Sequence, residues 1–446
     1  MNSHPTGDRP AVSYGFRIDP LSQINDIRNL LRDRYHTGFP VLKELIQNAD
    51  DAGASVLHIG WCAGLSEPHH PLLHGPALFV CNNRGLTSAN VEALRYLSLG
   101  SKAGDENVIG KFGLGLKSVF HLTEVYFYLS DDMGKRGFLN PWSPARHSEW
   151  DSNVEEAIDR LVTTLPPFLR GEEGWFCLYL PLRSGLWGEP FIVEEFPGSN
   201  GHSPTDLLDL QALRRIAGFF PLLKHLSSIR FMRTGIDFKE PAEIGSVSLG
   251  DSSERHEGFL QLGDSPRPLH GSVRLGGGDV GPVGFSGFES LAAVAKASAL
   301  QLRPNWPRSI SIDPHTTKPI EVKIKATSHV AVYFTSRPCQ GQGSFATRWS
   351  VFLPLEEDGQ PQTLKTEREI SLYLHGYFFV DSGRRRIEWP LAPLANQDER
   401  QVRLAWNALL RDEGILPLVL PALDQFVREE SLTYKRRSEN RPVNAA

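Results

Sequence analysis

The segment Leu42–Gly53, LKELIQNADDAG, constrains the fold of this chain more than any other stretch. With about 3.6 residues per helical turn, Glu44, Asn48 and Asp51 share one face. Val41, Leu42, Leu45, Ile46 and Ala49 fall on the adjoining side, where a core must cover them. A helix of this kind lies on a hydrophobic layer and holds a carboxylate, a carboxamide and a second carboxylate in line. On its own such a stripe is most often a solvated surface, so its meaning depends on what the rest of the chain brings to it.

The second informative stretch is VIGKFGLGLKSVFHLTEV, Val108 to Val125. Gly110, Gly113 and Gly115 precede a helix expected over 116–122. Glycines there let backbone N–H groups approach an anion, and a helix N-terminus adds partial positive charge. Two familiar phosphate motifs are excluded by spacing. A P-loop requires a lysine directly after its last glycine, whereas Leu116 stands between Gly115 and Lys117. The dinucleotide fingerprint is G-x-G-x-x-G, and this chain has the reverse order.

Composition narrows the class. The 446 residues suffice for two or three domains, and 40% hydrophobic with 22% charged residues describes an ordinary soluble globular protein. A net charge of −5 gives no drive toward nucleic acid or an anionic membrane. Cys62, Cys81, Cys177 and Cys339 are scattered and form no CxxC, which suggests neither a zinc ribbon nor a disulfide framework. The opening MNSHPTGDRP has no apolar run, and no stretch is long enough for a membrane helix, so a reducing, cytoplasmic setting is expected.

Periodicity predicts helices over 21–34, from Val41 onward, over 90–99 and near 154–165. Strands are predicted over 55–61, 77–81, 125–129 and 175–182. A helix through Leu223 leads to a strand at 227–232. The Gly- and Ser-rich stretch from about 245 to 290 reads as loops and an extended insertion. Strands follow at 330–335, 349–355 and 371–380. An amphipathic helix over 405–429, interrupted near Gly414 and Pro417, closes the chain before a frayed basic tail.

The order of these features carries a resemblance. A helix bearing E-x-x-x-N, a strand ending in polar residues (LFVCNNRG) and then G-x-x-G-x-G is the order of the Bergerat, or GHKL, ATP-binding class. Within it, LKELIQNADDAGA and IGKFGLGLKSVFHLTE most closely resemble the sacsin-type branch. GWFCLYLPLRS, SVFLPL, LYLHGYFFVDSGRRRIEW and AWNALL are similar to segments of that branch further along, so the likeness runs from about Leu21 to Val427.

The resemblance implies a fold and a set of roles. The fold is α/β: a two-layer Bergerat sandwich over 1–220, its mixed sheet mostly antiparallel, followed by a second α/β domain over 221–446 resembling the middle domain of heat-shock chaperones. Glu44 is the implied general base. Asn48 binds Mg²⁺, and Asp51 supports that shell. Gly110, Gly113 and Gly115, with Phe112 and Leu114 between them, wrap the triphosphate of ATP. Ser101, Lys102 or Lys111 approaches it from a lid between Ser98 and Phe112. Arg384, Arg385 and Arg386 supply a candidate γ-phosphate sensor, with a solvated basic turn as the bland reading for each. The implied activity is slow ATP hydrolysis coupled to lid closure and domain rearrangement on protein clients or partner subunits. A nucleotide-dependent homodimer and, in bacteria, a stress or anti-phage defence assembly fit that activity.

This chain departs from the class pattern in three places. The second strand normally ends in an Asp that accepts from the adenine amino group, and here Asn82 stands at that point, with Asn83 one register away. An asparagine carbonyl can accept the same bond. Gly174 is followed by Trp175 where a threonine is usual, and Trp offers no hydroxyl. Lys117 lies beyond the glycines, where a structural role is expected. Asn82 in place of Asp and Trp175 favour a second reading, a nucleotide-gated scaffold with little turnover, while Glu44 favours hydrolysis. His69, His70 and His74 lack an acidic or Cys partner at metal-site spacing, and Cys81 reads as a small core residue.

Overall fold

The computed structural model describes residues 21–33, 37–66, 70–88, 91, 94, 115–194, 207–251, 253, 265–277, 281–291, 306–312, 319–323, 327–351, 353–355, 360–380, 386–390 and 398–439. Apolar spacing builds helix α1 (Ser22–Asp33) and helix α2 (Phe39–Asp51). Gly38, at φ 88°, and a proline in the first turn set the start of α2. Strands β1 (Val56–Cys62), β2 (Ala77–Asn82), β3 (Tyr126–Ser130), β4 (Gly137–Leu139) and β5 (Phe176–Pro181) follow, with helix α3 (Val154–Thr164) between β4 and β5. Helix α4 (Leu210–Phe219), N-capped by the Asp209 side chain, leads to β6 (Ser228–Thr234).

The remaining strands are β7 (Ala242–Leu249), β8 (Arg267–Gly276), β9 (Val283–Leu291), β10 (Arg308–Ile312), β11 (Pro319–Lys323), β12 (His329–Pro338), β13 (Gly343–Val351), β14 (Leu353–Pro354), β15 (Gln362–Leu364) and β16 (Arg368–Gly376). Among the described residues, one 14-stranded sheet runs β14-β13-β16-β12-β9-β8-β7-β6-β1-β2-β5-β3-β4, with β15 attached to β13. The fold is therefore mixed α/β. Most pairings are antiparallel, whereas β1 joins β6, and β13 joins β16, in parallel.

Within the stretch expected to be loops, the described residues of β7, β8 and β9 are instead the middle of the sheet. Val247, Leu269, Val273, Val283 and Phe285 are buried at alternating positions along β7, β8 and β9. The glycines that suggested loops serve close approach: a Cβ at Gly245 would run into the Leu213 side chain of α4.

The two faces of the sheet carry separate cores. On β12 and β16, Tyr333 and Tyr373 belong to the core that also holds α1, α2 and α4. Val330, Val332, Phe334, Leu372 and Leu374 point the other way, into a second core. That core is closed by helix α5 (Glu399–Leu409), a π-helical turn over Leu410–Ile415 and helix α6 (Leu416–Glu439). The interruption expected near Gly414 is this π turn, and α6 continues into the segment expected to fray. Among the described residues, no helix is long and apolar enough to cross a membrane.

Candidate functional site

Helix α2 sorts its residues as its periodicity predicts. Val41, Leu42, Leu45, Ile46 and Ala49 are buried, while Glu44, Asn48 and Asp51 remain partly exposed. The segment after the glycine motif, Gly115–His121, is a 3₁₀ helix rather than an α-helix, and it packs against α2. Gly115 is buried there, and a Cβ at this position would overlap the Glu44 carboxylate at Oε2. The last glycine of one motif and the first acid of the other are thus in contact distance, although they lie far apart in sequence.

The 3₁₀ segment is held from behind. Arg183 donates to the backbone carbonyls of Phe120, His121 and Thr123 and forms a buried ion pair with Glu124. Glu124 in turn accepts from Trp142 Nε1 at 2.9 Å and from the Ile192 N–H at 3.0 Å. A buried pair of this kind is stable only with its remaining hydrogen bonds met, and here they are. Lys117, expected to be structural, is 3% exposed and donates from Nζ to the Leu94 carbonyl at 2.9 Å. Burial pulls its pKa down from 10.5 to about 8. Ser101, Lys102, Gly110, Lys111, Phe112, Gly113, Leu114, Arg384 and Arg385 lie outside the described residues.

At the other end of the stripe, β2 delivers Asn82 and the turn that follows. Asn82 is 6% exposed, and its Oδ1 accepts the Arg84 N–H at 3.0 Å. Asn83 is committed elsewhere: its Oδ1 accepts the N–H groups of Ser55 and Val56, each at 3.0 Å, and its Nδ2 donates to Ser55 Oγ. This side chain fastens the start of β1, which leaves Asn82 as the better-placed acceptor of the two. Gly85, Gly174 and Asp131 cluster beside it, since a Cβ at Gly85 would meet Asp131 Oδ1 at 2.9 Å and one at Gly174 would meet the Gly85 N at 3.1 Å. Trp175 is buried, with the Arg170 guanidinium 5.7 Å from its ring centroid.

Two residues that the sequence reading passed over prove central. Asp50 is fully buried and accepts the N–H groups of Lys224 at 2.9 Å, His225 at 2.7 Å and Leu226 at 2.9 Å. The signal was present: Asp50 stands one turn after Ile46 on the buried face, where an acid needs a dedicated partner. Tyr377, from the segment after β16, is also fully buried. Burial raises its phenol pKa, and the charges of Asp51 and Asp50 raise it further, so the C-terminal half reaches the end of α2.

His70 takes a structural position, and His69 lies outside the described residues. His70 is buried, with Nε2 2.8 Å from the Trp150 carbonyl and Nδ1 accepting the Leu72 N–H. No group of three metal-ligating side chains occurs among the described residues. Cys81 and Cys177 face each other across β2 and β5, Sγ to Sγ 2.7 Å, as free thiols. Burial holds the Cys81 thiol well above its usual pKa, which suits a core residue and not a nucleophile.

Comparison with known proteins places this geometry in context. Residues 22–160, which include α1, α2, Asn82 and Gly115, match the model of the Sacsin domain family. The chain is also similar to human Sacsin, at 27% identity over 427 residues, an alignment covering 87% of this chain. It spans 9% of the length of that relative. Among solved structures, a crystal structure of the N-terminal domain of a DNA repair protein aligns with 88% of this chain and 97% of its own, at 12% identity and a TM-score of 0.32.

Proposed function

We propose that the α2 stripe and the glycine motif form a Mg²⁺-dependent ATP site of the GHKL type, with slow hydrolysis coupled to lid closure and domain rearrangement on protein partners. The observation that carries this reading is the contact between Glu44 and Gly115, which brings a carboxylate to the last residue of a glycine motif suited to an anion. The likeness to sacsin-type sequence over residues 22–160 supports it.

The residues present fit a nucleotide with its metal. The Gly115 position is a cradle that any Cβ would fill, and the stripe offers oxygen donors of the kind Mg²⁺ takes. Asn48 would hold the metal through its carbonyl oxygen, with Asp51 one turn on. When bound, Mg²⁺ neutralises charge on the phosphates. Glu44 would orient the attacking water and accept its proton. Asn82 would accept from the base through its carboxamide oxygen, which has a second lone pair beyond the one Arg84 uses.

The test is ATP binding and turnover by the full chain beside Glu44→Ala and Asn48→Ala. Glu44→Ala is expected to keep binding and lose hydrolysis, and Asn48→Ala to lose Mg²⁺-dependent binding. Wild-type binding with no turnover that Glu44→Ala abolishes would instead support the nucleotide-gated scaffold, the reading favoured by buried Trp175 in place of a hydroxyl. Absence of ATP binding at any Mg²⁺ concentration would sink both.

A further inference from the structure

Beneath α4 the sheet changes character over three cross-strand pairs. β12 and β16 set Tyr333 opposite Tyr373, Thr335 opposite Ser371 and Arg337 opposite Glu369, all on the face that α4 covers. The tyrosine rings stack at 4.9 Å, and the Tyr333 hydroxyl donates to the Gly218 carbonyl of α4 at 2.9 Å. Two residues further along come hydroxyls, and two further still an ion pair. A face that began as core has become polar under a helix, where polar groups need partners.

This polar strip floors a cavity of about 180 Å³. α4 brings Arg214 and Arg215 to its wall, and β13 brings Arg348, which stands in register with Tyr373. The Arg215 guanidinium lies 4.0 Å from the ring centroid of Phe39, at the start of α2. Among the lining residues are four guanidinium groups (Arg214, Arg215, Arg337, Arg348) and one carboxylate (Glu369). Arg337 is already engaged by Glu369. Arg214 Nε is buried and has no hydrogen-bond partner. An orphaned guanidinium N–H beside other cations is a costly arrangement that an anion relieves.

We propose that this cavity is an anion site that takes a phosphate group, either inorganic or at the end of a small phosphorylated molecule. Arg presents planar pairs of donors that match phosphate oxygens, and Thr335 and Ser371 add neutral hydroxyl donors from the floor. A phosphate group offers such a cluster more acceptor oxygens than a single carboxylate does. The site is separate from the α2 stripe: Phe39 and Glu44 are offset by about 140° around the helix and ~7.5 Å along it. The inference does not depend on the ATP reading.

The experiment is a calorimetric titration of the full chain with inorganic pyrophosphate in the absence of Mg²⁺, repeated with inorganic phosphate, ADP and acetate. Arg214→Gln, Arg348→Gln and Asn48→Ala are compared with wild type, each first checked by its melting temperature. Pyrophosphate is expected to bind wild type and Asn48→Ala alike, with affinity about tenfold lower in Arg214→Gln and in Arg348→Gln. If one arginine variant does not fold, the other carries the test. ADP binding that depends on Arg214 and Arg348 while inorganic anions fail to bind supports the site with a phosphorylated molecule as its ligand. Unchanged pyrophosphate affinity in both arginine variants overturns the proposal, as does acetate binding as tightly as pyrophosphate. Loss of pyrophosphate binding in Asn48→Ala alone also overturns it, and would place the anion on the α2 stripe. If ATP fails to bind while pyrophosphate binding depends on Arg214 and Arg348, this proposal stands and the ATP reading falls.

Discussion

Adjacent aspartates at the end of α2 do different work, and the difference is measurable. Asp51 lies on the exposed stripe, whereas the Asp50 carboxylate replaces water for three consecutive backbone N–H groups ahead of β6. Asp50→Ala strands those donors and is expected to cost about 3 kcal/mol, read as a lower urea midpoint with an unchanged m-value. His58 on β1 sets a pH dependence. Burial, helped by the Arg230 charge, lowers its pKa from 6.5 to about 4. Between those values the unfolded chain binds a proton that the folded chain does not, so stability falls as pH is lowered through that window. Above pH 6.5 the contribution is fully present. From pH 7 to pH 4 the wild type should lose about 3 kcal/mol more than His58→Gln, measured by urea unfolding at each pH.

At the scale of elements, the segment after β16 owes its shape to α5. Asn407 is fully buried on that helix. Its Oδ1 accepts the Phe379 N–H at 2.7 Å, and its Nδ2 donates to the carbonyls of Phe379 at 2.7 Å and Glu388 at 2.8 Å. One carboxamide thereby imitates a strand partner beside the Val380–Ile387 bridge. Asn407→Ala leaves buried backbone groups unpaired and is expected to destabilise the chain by about 2–3 kcal/mol. Protease cleavage should appear first within 380–388, which peptide mass mapping of a limited digest would show. AWNALL was legible as a segment shared with sacsin-type chains, yet the role of its asparagine was not, because its partners are backbone atoms that no side-chain pattern reveals.

At the scale of the whole molecule, the sheet passes through the boundary expected near residue 220. β6 lies beyond that point, and it pairs with all seven residues of β1. A chain ending at residue 220 would leave β1, with buried Leu57, Ile59 and Trp61, as an open edge, and would remove the N–H donors of Asp50. Such a chain is expected to aggregate on expression, while the full chain elutes as a folded species in size-exclusion chromatography. The sequence by itself determined the helix that carries Glu44, Asn48 and Asp51, because a 3.6-residue period is a local property that burial then respected residue by residue. Tertiary structure alone decided that Gly115 meets Glu44, that Asn83 is spent on β1, and that a Gly- and Ser-rich stretch forms the middle of the sheet. Local composition lowered the strand signal there, whereas pairing with neighbours on both sides supplied the hydrogen bonds and burial that a single segment cannot. The arginine-lined cavity is the same kind of outcome, since its arginines come from three separate elements and share no spacing in the chain.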